Sequence, residues 1–148
     1  MIRPWKDIKT FYQGLVAGGS PLQGMVRLVE QIEASRYVSG VHGETSMHDL
    51  CLTQATSSTF PDGPHLRISP RFDGTIEFRY IDSHVREKQW HRIVKEDDAF
   101  SRLVRFFDQL HWLPASVLND ECGRTDAGSS ASATVLCSSS SPSRNVSV

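Results

Sequence analysis

No apolar run in this chain approaches the roughly 20 residues a helix needs to cross a bilayer. The opening segment, Met1-Ile2-Arg3-Pro4-Trp5-Lys6-Asp7, carries charges without an apolar stretch or a small-residue cleavage site, so no secretory leader is expected. An excess of either charge is missing too. The net charge is −1 over 148 residues, and without a basic surplus neither nucleic acid nor an anionic membrane is an expected partner. Cysteine is sparse: Cys51, Cys122 and Cys137 form no CxxC pair. An odd, scattered set gives no disulfide framework and fits a reducing, cytoplasmic setting. Glycines fall in caps and turns, with neither the GxGxxG nor the P-loop spacing, and no G-x-S-x-G elbow occurs. No cofactor and no catalytic residue is therefore indicated. No internal repeat is found.

What is there divides at Pro114. From 114 to 148 the chain has no Lys, no His and no aromatic residue, and Ser dominates, with the run Ser138-Ser139-Ser140-Ser141. Such a segment has too little apolar area to offset the entropy of ordering it, so a disordered tail is expected over 114–148. It reads either as a phosphorylatable or partner-binding extension, or as a spacer or unselected end. The segment 1–113 is expected to be one folded domain, with 14 basic and 14 acidic residues and all six histidines.

Within 1–113 the apolar spacing changes twice. Trp5, Ile8, Phe11, Tyr12 and Leu15 recur at helical intervals, with Pro4 suited to a first turn and Gly18-Gly19 to a stop. Leu22, Met25, Val26, Val29 and Ile32 mark a second helix, for which Ser20 and Gln23 match a capping box and Pro21 the first helical position. Two helices joined by Gly18-Gly19-Ser20 make an α-hairpin. A third helix is predicted after Asp97-Asp98, on Phe100, Leu103, Val104, Phe107 and Leu110, and ended by Pro114.

Between the second and third helices the period becomes two. Leu66 and Ile68 alternate with Arg67 and Ser69; Ile76, Phe78 and Tyr80 alternate with Glu77 and Arg79. Asp73-Gly74 marks a turn between them. A two-residue loop would put the two apolar sets on opposite faces. A three-residue loop, Phe72-Asp73-Gly74, pairs Ile68 with Phe78 and Leu66 with Tyr80 on one face, with Gly74 left-handed. Further strands are predicted over 49–55 and 89–95. The fold expected is α+β: an N-terminal α-hairpin, a four-stranded antiparallel sheet, and element order ααββββα.

Two groups of residues are candidates for function. The hairpin's outer face would set Arg67 opposite Arg79, a like-charge pair that Glu77, diagonal to Arg67, would compensate. Left uncompensated, Arg67 and Arg79, with Arg92, would meet an acidic partner, beside Trp90 and a charged loop carrying His84 and Arg86. The second group is the segment His42–Cys51, read as a loop entering a strand. His42, Glu44 and His48 are candidate metal ligands, with Cys51 or His91 as a fourth. Cys51 or Ser46 beside His48 and Asp49 is a candidate nucleophile. Neither spacing matches a motif in which a helix or strand fixes the geometry, and Cys51 within an apolar strand reads as a packed hydrophobe. The expected function is that of a small protein-binding or accessory domain, bacterial in style, acting through an open sheet face rather than by catalysis. The alternative is a metal-binding protein or small enzyme using His42–Cys51.

Overall fold

The two N-terminal stripes form helices because each can bury one face. In the computed structural model, which describes residues 2–54 and 62–113, α1 is Trp5–Ala17 and α2 is Gln23–Glu33. Ile8 and Tyr12 are fully buried on α1, and Met25, Leu28, Val29 and Ile32 on α2. The link differs from the capping box expected at Ser20. Gly19 takes φ 97°, and the Ser20 carbonyl accepts from the Leu22 amide at 2.8 Å. That tight turn drives Leu22 into the core and delays the helix to Gln23, with no side-chain cap.

The rest of the core is a five-stranded antiparallel meander: β1 (Val41–Ser46), β2 (Asp49–Gln54), β3 (His65–Pro70), β4 (Thr75–Ile81) and β5 (Trp90–Lys95), in spatial order β1-β2-β3-β4-β5. The strand beyond the four expected is β1, inside the segment read as a loop. Its inward positions are Val41, Gly43 and Thr45, which face Gln54, Leu52 and Leu50. Gly43 leaves no apolar alternation to read, and its neighbours supply the reason. A Cβ there would lie 2.7 Å from Ile8 Cδ1 and 3.1 Å from Trp5 Cη2. Helix α1 sits so close to β1 that a side chain at this position would force the Ile8 methyl and the Trp5 ring to shift.

The β3–β4 register is the one the apolar parity required. Ile68 pairs with Phe78, Leu66 with Tyr80, and Arg67 with Arg79. The Arg71 amide donates to the Thr75 carbonyl at 2.9 Å, closing the loop Phe72-Asp73-Gly74. Gly74 has φ 82°, a conformation glycine adopts without a Cβ penalty.

Helix α3 (Ala99–Gln109) completes the layer. The α helices pack on the sheet face bearing Leu50, Leu52, Leu66, Ile68, Ile76 and Phe78, all fully buried. α1 lies along β1, α3 along β5, and α2 between them. α3 ends before Pro114 is reached. His111 takes the left-handed conformation at φ 49°, and the Trp112 amide bonds back to the Phe107 carbonyl at 3.1 Å, a helix-ending turn that returns Trp112 to the core. Phe106, off the stripe read from sequence, lies at the centre of an aromatic cluster with Tyr80, Trp90, Phe107 and Trp112, at centroid distances of 5.2–6.2 Å. Leu110, on that stripe, is exposed. The predicted tail over 114–148 and Ala55, the predicted end of β2, lie outside the described residues. Among the described residues, no helix is long and apolar enough to cross a membrane.

Candidate interaction surface

Residues that alternate with the core set project from the opposite, outer face. One row crosses all five strands: Glu44, Cys51, Arg67, Arg79 and His91. Arg67 and Arg79 are directly opposed, and each is neutralised separately. Arg67 Nε donates to Asp49 Oδ2 at 2.5 Å, and Arg79 Nη2 to Glu77 Oε1 at 2.5 Å. The expected compensation of Arg67 by Glu77 is therefore replaced by Asp49. Asp49 comes from β2, whose alignment with β3 the sequence does not reveal. Glu77 lies instead within 3.9 Å of Arg71. Arg67, Ser69, Glu77, Arg79, Arg86 and Gln89 line a shallow hollow of about 460 Å³. Its guanidinium groups at 67 and 79 are already engaged, so it offers an acidic partner less than a free pair would.

The segment His42–Cys51 is a β-hairpin rather than a loop. His42 and Glu44 stand on the outer face of β1, across from Thr53 and Cys51. His48 sits at the exposed turn after Met47, which has φ 58°. The His48 carbonyl accepts from the buried Tyr12 hydroxyl at 3.0 Å. The strand separates His42 and Glu44 from the turn, and among the described residues no three His, Cys, Asp or Glu side chains group to hold a metal. Ser46 pairs with Asp49 across the ladder. Cys51 is 1% exposed. Burial pushes its thiol up to about 11, with the Arg67 charge opposing and the Asp49 charge assisting. At neutral pH it is a protonated, packed sulfur, poorly suited to attack or to ligate.

β5 differs from the other strands. Trp90, Arg92 and Val94 align with Tyr80, Phe78 and Ile76, on the helix-bearing side. His91, Ile93 and Lys95 are on the outer side and exposed, Ile93 at 49%. The hydrogen-bond parity follows from the two ends of β4. Arg71 bonds to Thr75, and the Glu96 amide donates to the Gly74 carbonyl at 3.2 Å. In an antiparallel ladder the bonded pairs alternate. Trp90, Arg92 and Val94 therefore turn their amides to β4, while His91, Ile93 and Lys95 turn theirs outward. Among the described residues nothing pairs with that outward edge. The opposite edge is occupied: the Arg3 amide donates to the Gly43 carbonyl at 3.1 Å, forming a bridge to β1.

Beside β5, Trp90 and Arg92 stand with two residues that sequence reading did not single out. The guanidinium carbons of Arg102 and Arg92 lie 5.2 and 6.0 Å from the centroid of the Trp90 indole. Arg92, Arg102 and Arg105 line a hollow of about 470 Å³ together with Ser101, Val94 and Asp98. Asp98 and Asp108 stand at helical spacing from Arg102 and Arg105, so the sequence reads as a self-neutralised helix face. Neither pair forms an ion pair in the structure. His84, the remaining candidate, is apart from this group, lining a hollow with Asp62, Gly63, Pro64 and Asp82.

No family model, curated protein or solved structure matches the chain.

Proposed function

We propose that this domain is a protein-binding module, and that its partner adds an extended, acidic segment along the free edge of β5. The observation that carries the reading is the edge itself: a six-residue strand whose outward amides at His91, Ile93 and Lys95 have no partner among the described residues. An edge strand of this kind offers main-chain hydrogen bonds to an incoming strand and, at alternate positions, contacts for its side chains. The exposed Ile93 supplies an apolar contact on the outer face. The strand Trp-His-Arg-Ile-Val-Lys contains no acidic residue, and Arg102 and Arg105 adjoin it. Charge complementarity therefore favours a segment rich in carboxylates. It disfavours a second copy of the chain, since pairing β5 with itself brings like charges together. The outer face of β4 and β5, with Arg79 and Glu77, forms the flank of this surface. Binding is favoured over catalysis at Cys51, one of the two candidate nucleophiles, because it is buried with its thiol held protonated.

The test uses peptides selected by the full-length protein from a displayed random library. Selected sequences should be acidic and should alternate in hydropathy. Ile93→Pro removes one outward amide and no internal ladder bond, a change edge strands tolerate. It should weaken the selected peptide by about tenfold or more while the protein stays folded, whereas Ile93→Thr, which keeps the amide, should retain most of the affinity. Equal binding by Ile93→Pro, or a homodimer that Ile93→Pro dissociates, would overturn the reading.

A further inference from the structure

We infer that Arg92, Arg102 and Arg105, with Ser101, form a binding site for a phosphate-class oxyanion. The inference stands independently of strand addition at β5, because the three side chains would bind the anion whether or not a segment pairs with the edge. Arg102 and Arg105 lie three apart on α3 and so share a face. Arg92 reaches the same hollow from the helix-bearing side of β5. Two of the guanidinium groups are held against the indole of Trp90, whose ring packs in turn on the buried Phe106 at 5.5 Å. That arrangement limits the freedom of two long side chains before any ligand arrives, and preorganisation of this kind favours binding.

Three features distinguish the cluster from an ordinary charged surface. The first is an unmet hydrogen bond: Arg102 Nε is buried and has no partner among the described residues, although buried polar atoms in folded proteins are nearly always paired. The second is the absence of ion pairing. Arg27, Arg67, Arg71 and Arg79 each lie within 4.0 Å of a carboxylate, whereas among the described residues no carboxylate forms an ion pair with Arg92, Arg102 or Arg105. The third is mutual repulsion. Burial holds the Arg102 pKa below its ordinary value, and the neighbouring Arg92 and Arg105 charges lower it further. Asp98, exposed at the rim of the hollow, is the acidic residue lining it, which leaves three positive charges against one negative. An oxyanion seated among them would give Arg102 Nε an acceptor, accept further bonds from the guanidinium forks and the Ser101 hydroxyl, and relieve the repulsion. A tetrahedral dianion suits this better than a carboxylate, because it offers more acceptor atoms and twice the charge to three converging guanidinium groups.

The experiment titrates the full-length protein separately with inorganic phosphate, a blocked phosphoserine peptide and glutamate, following arginine Nε–Hε resonances and the melting temperature. Both phosphate probes should saturate, move the Arg102 resonance and raise the melting temperature. Arg92→Gln and Arg105→Gln, both at exposed positions, should each weaken binding by about tenfold while leaving the fold intact, and Arg86→Gln should leave it unchanged. Tighter binding of the peptide identifies a phosphorylated segment as the source, and equal binding a free phosphate. A linear, non-saturating response, an equal loss in Arg86→Gln, or glutamate binding as tightly as phosphate would overturn the assignment. Ile93→Pro should bind phosphate like the unaltered protein, so failure at the edge and failure at this site are distinguishable.

Discussion

The two edges of the sheet are finished in opposite ways. On the β1 side, Arg3 bridges the outer edge of the strand, α1 packs down onto Gly43, and Arg67 on the adjoining outer face is matched with Asp49. Cys51, Thr53 and His65 are buried there although they project from the face opposite the helices. On the β5 side no described residue pairs with the outer edge, Ile93 is exposed, and three arginines share a hollow with one acid, Asp98, and form no ion pair with it. The first edge is built for stability. The second retains features that do nothing for the isolated fold: unpaired amides, an exposed apolar side chain and clustered like charge. Features of that kind concentrate where a protein meets something else.

The largest expected effect comes from breaking the closed edge. Gly43→Val raises strand propensity, so a purely local view predicts a gain. The crowding by Ile8 and Trp5 predicts the reverse, a loss of about 2–3 kcal/mol in denaturant unfolding. Ile93→Thr on the open edge should change stability by less than about 0.5 kcal/mol. Equal tolerance at the two positions would erase the distinction between the edges. A smaller effect compares the two sets of arginines. Asp49→Asn leaves Arg67 without its carboxylate and should lower stability by about 0.5–1 kcal/mol, a modest value because the pair is partly solvated. Arg105→Gln removes one of three positive charges that share a hollow with a single acid, Asp98, so stability should stay the same or rise by about 0.3 kcal/mol. A clear loss on Arg105→Gln would mean that the cluster already contributes to the fold.

Much of this was legible in the sequence where a pattern had a single solution. The β3–β4 register followed from parity, since one loop length alone set Leu66, Ile68, Phe78 and Tyr80 on a common face, and Gly74 could take the required φ. The stripe on α3 was legible at Leu103 and Phe107, while Leu110 on it is exposed and the buried Phe106 lies off it. β1 was not, because tertiary crowding placed glycine where alternation would show an apolar residue, and its outer positions are polar. Ser20 and Gln23 matched a capping box by spacing, but the buried Leu22 decided where α2 begins. Pairing of Arg67 with Asp49 depends on a β2–β3 alignment set across a connection whose geometry no local motif specifies. The Arg92–Arg102–Arg105 cluster was half visible. Arg92 and Trp90 were candidates, while Arg102 and Arg105 were masked by acids at helical spacing that the fold does not bring into contact.

The most direct test of the open edge is residue-resolved amide hydrogen exchange across β5 in the free full-length protein. The hydrogen-bond parity predicts alternation, with the amides of Arg92 and Val94 protected by β4 and those of His91, Ile93 and Lys95 exchanging at rates close to those of an unprotected chain. Uniform protection from His91 to Lys95 would show that the edge is already covered, and would contradict the account.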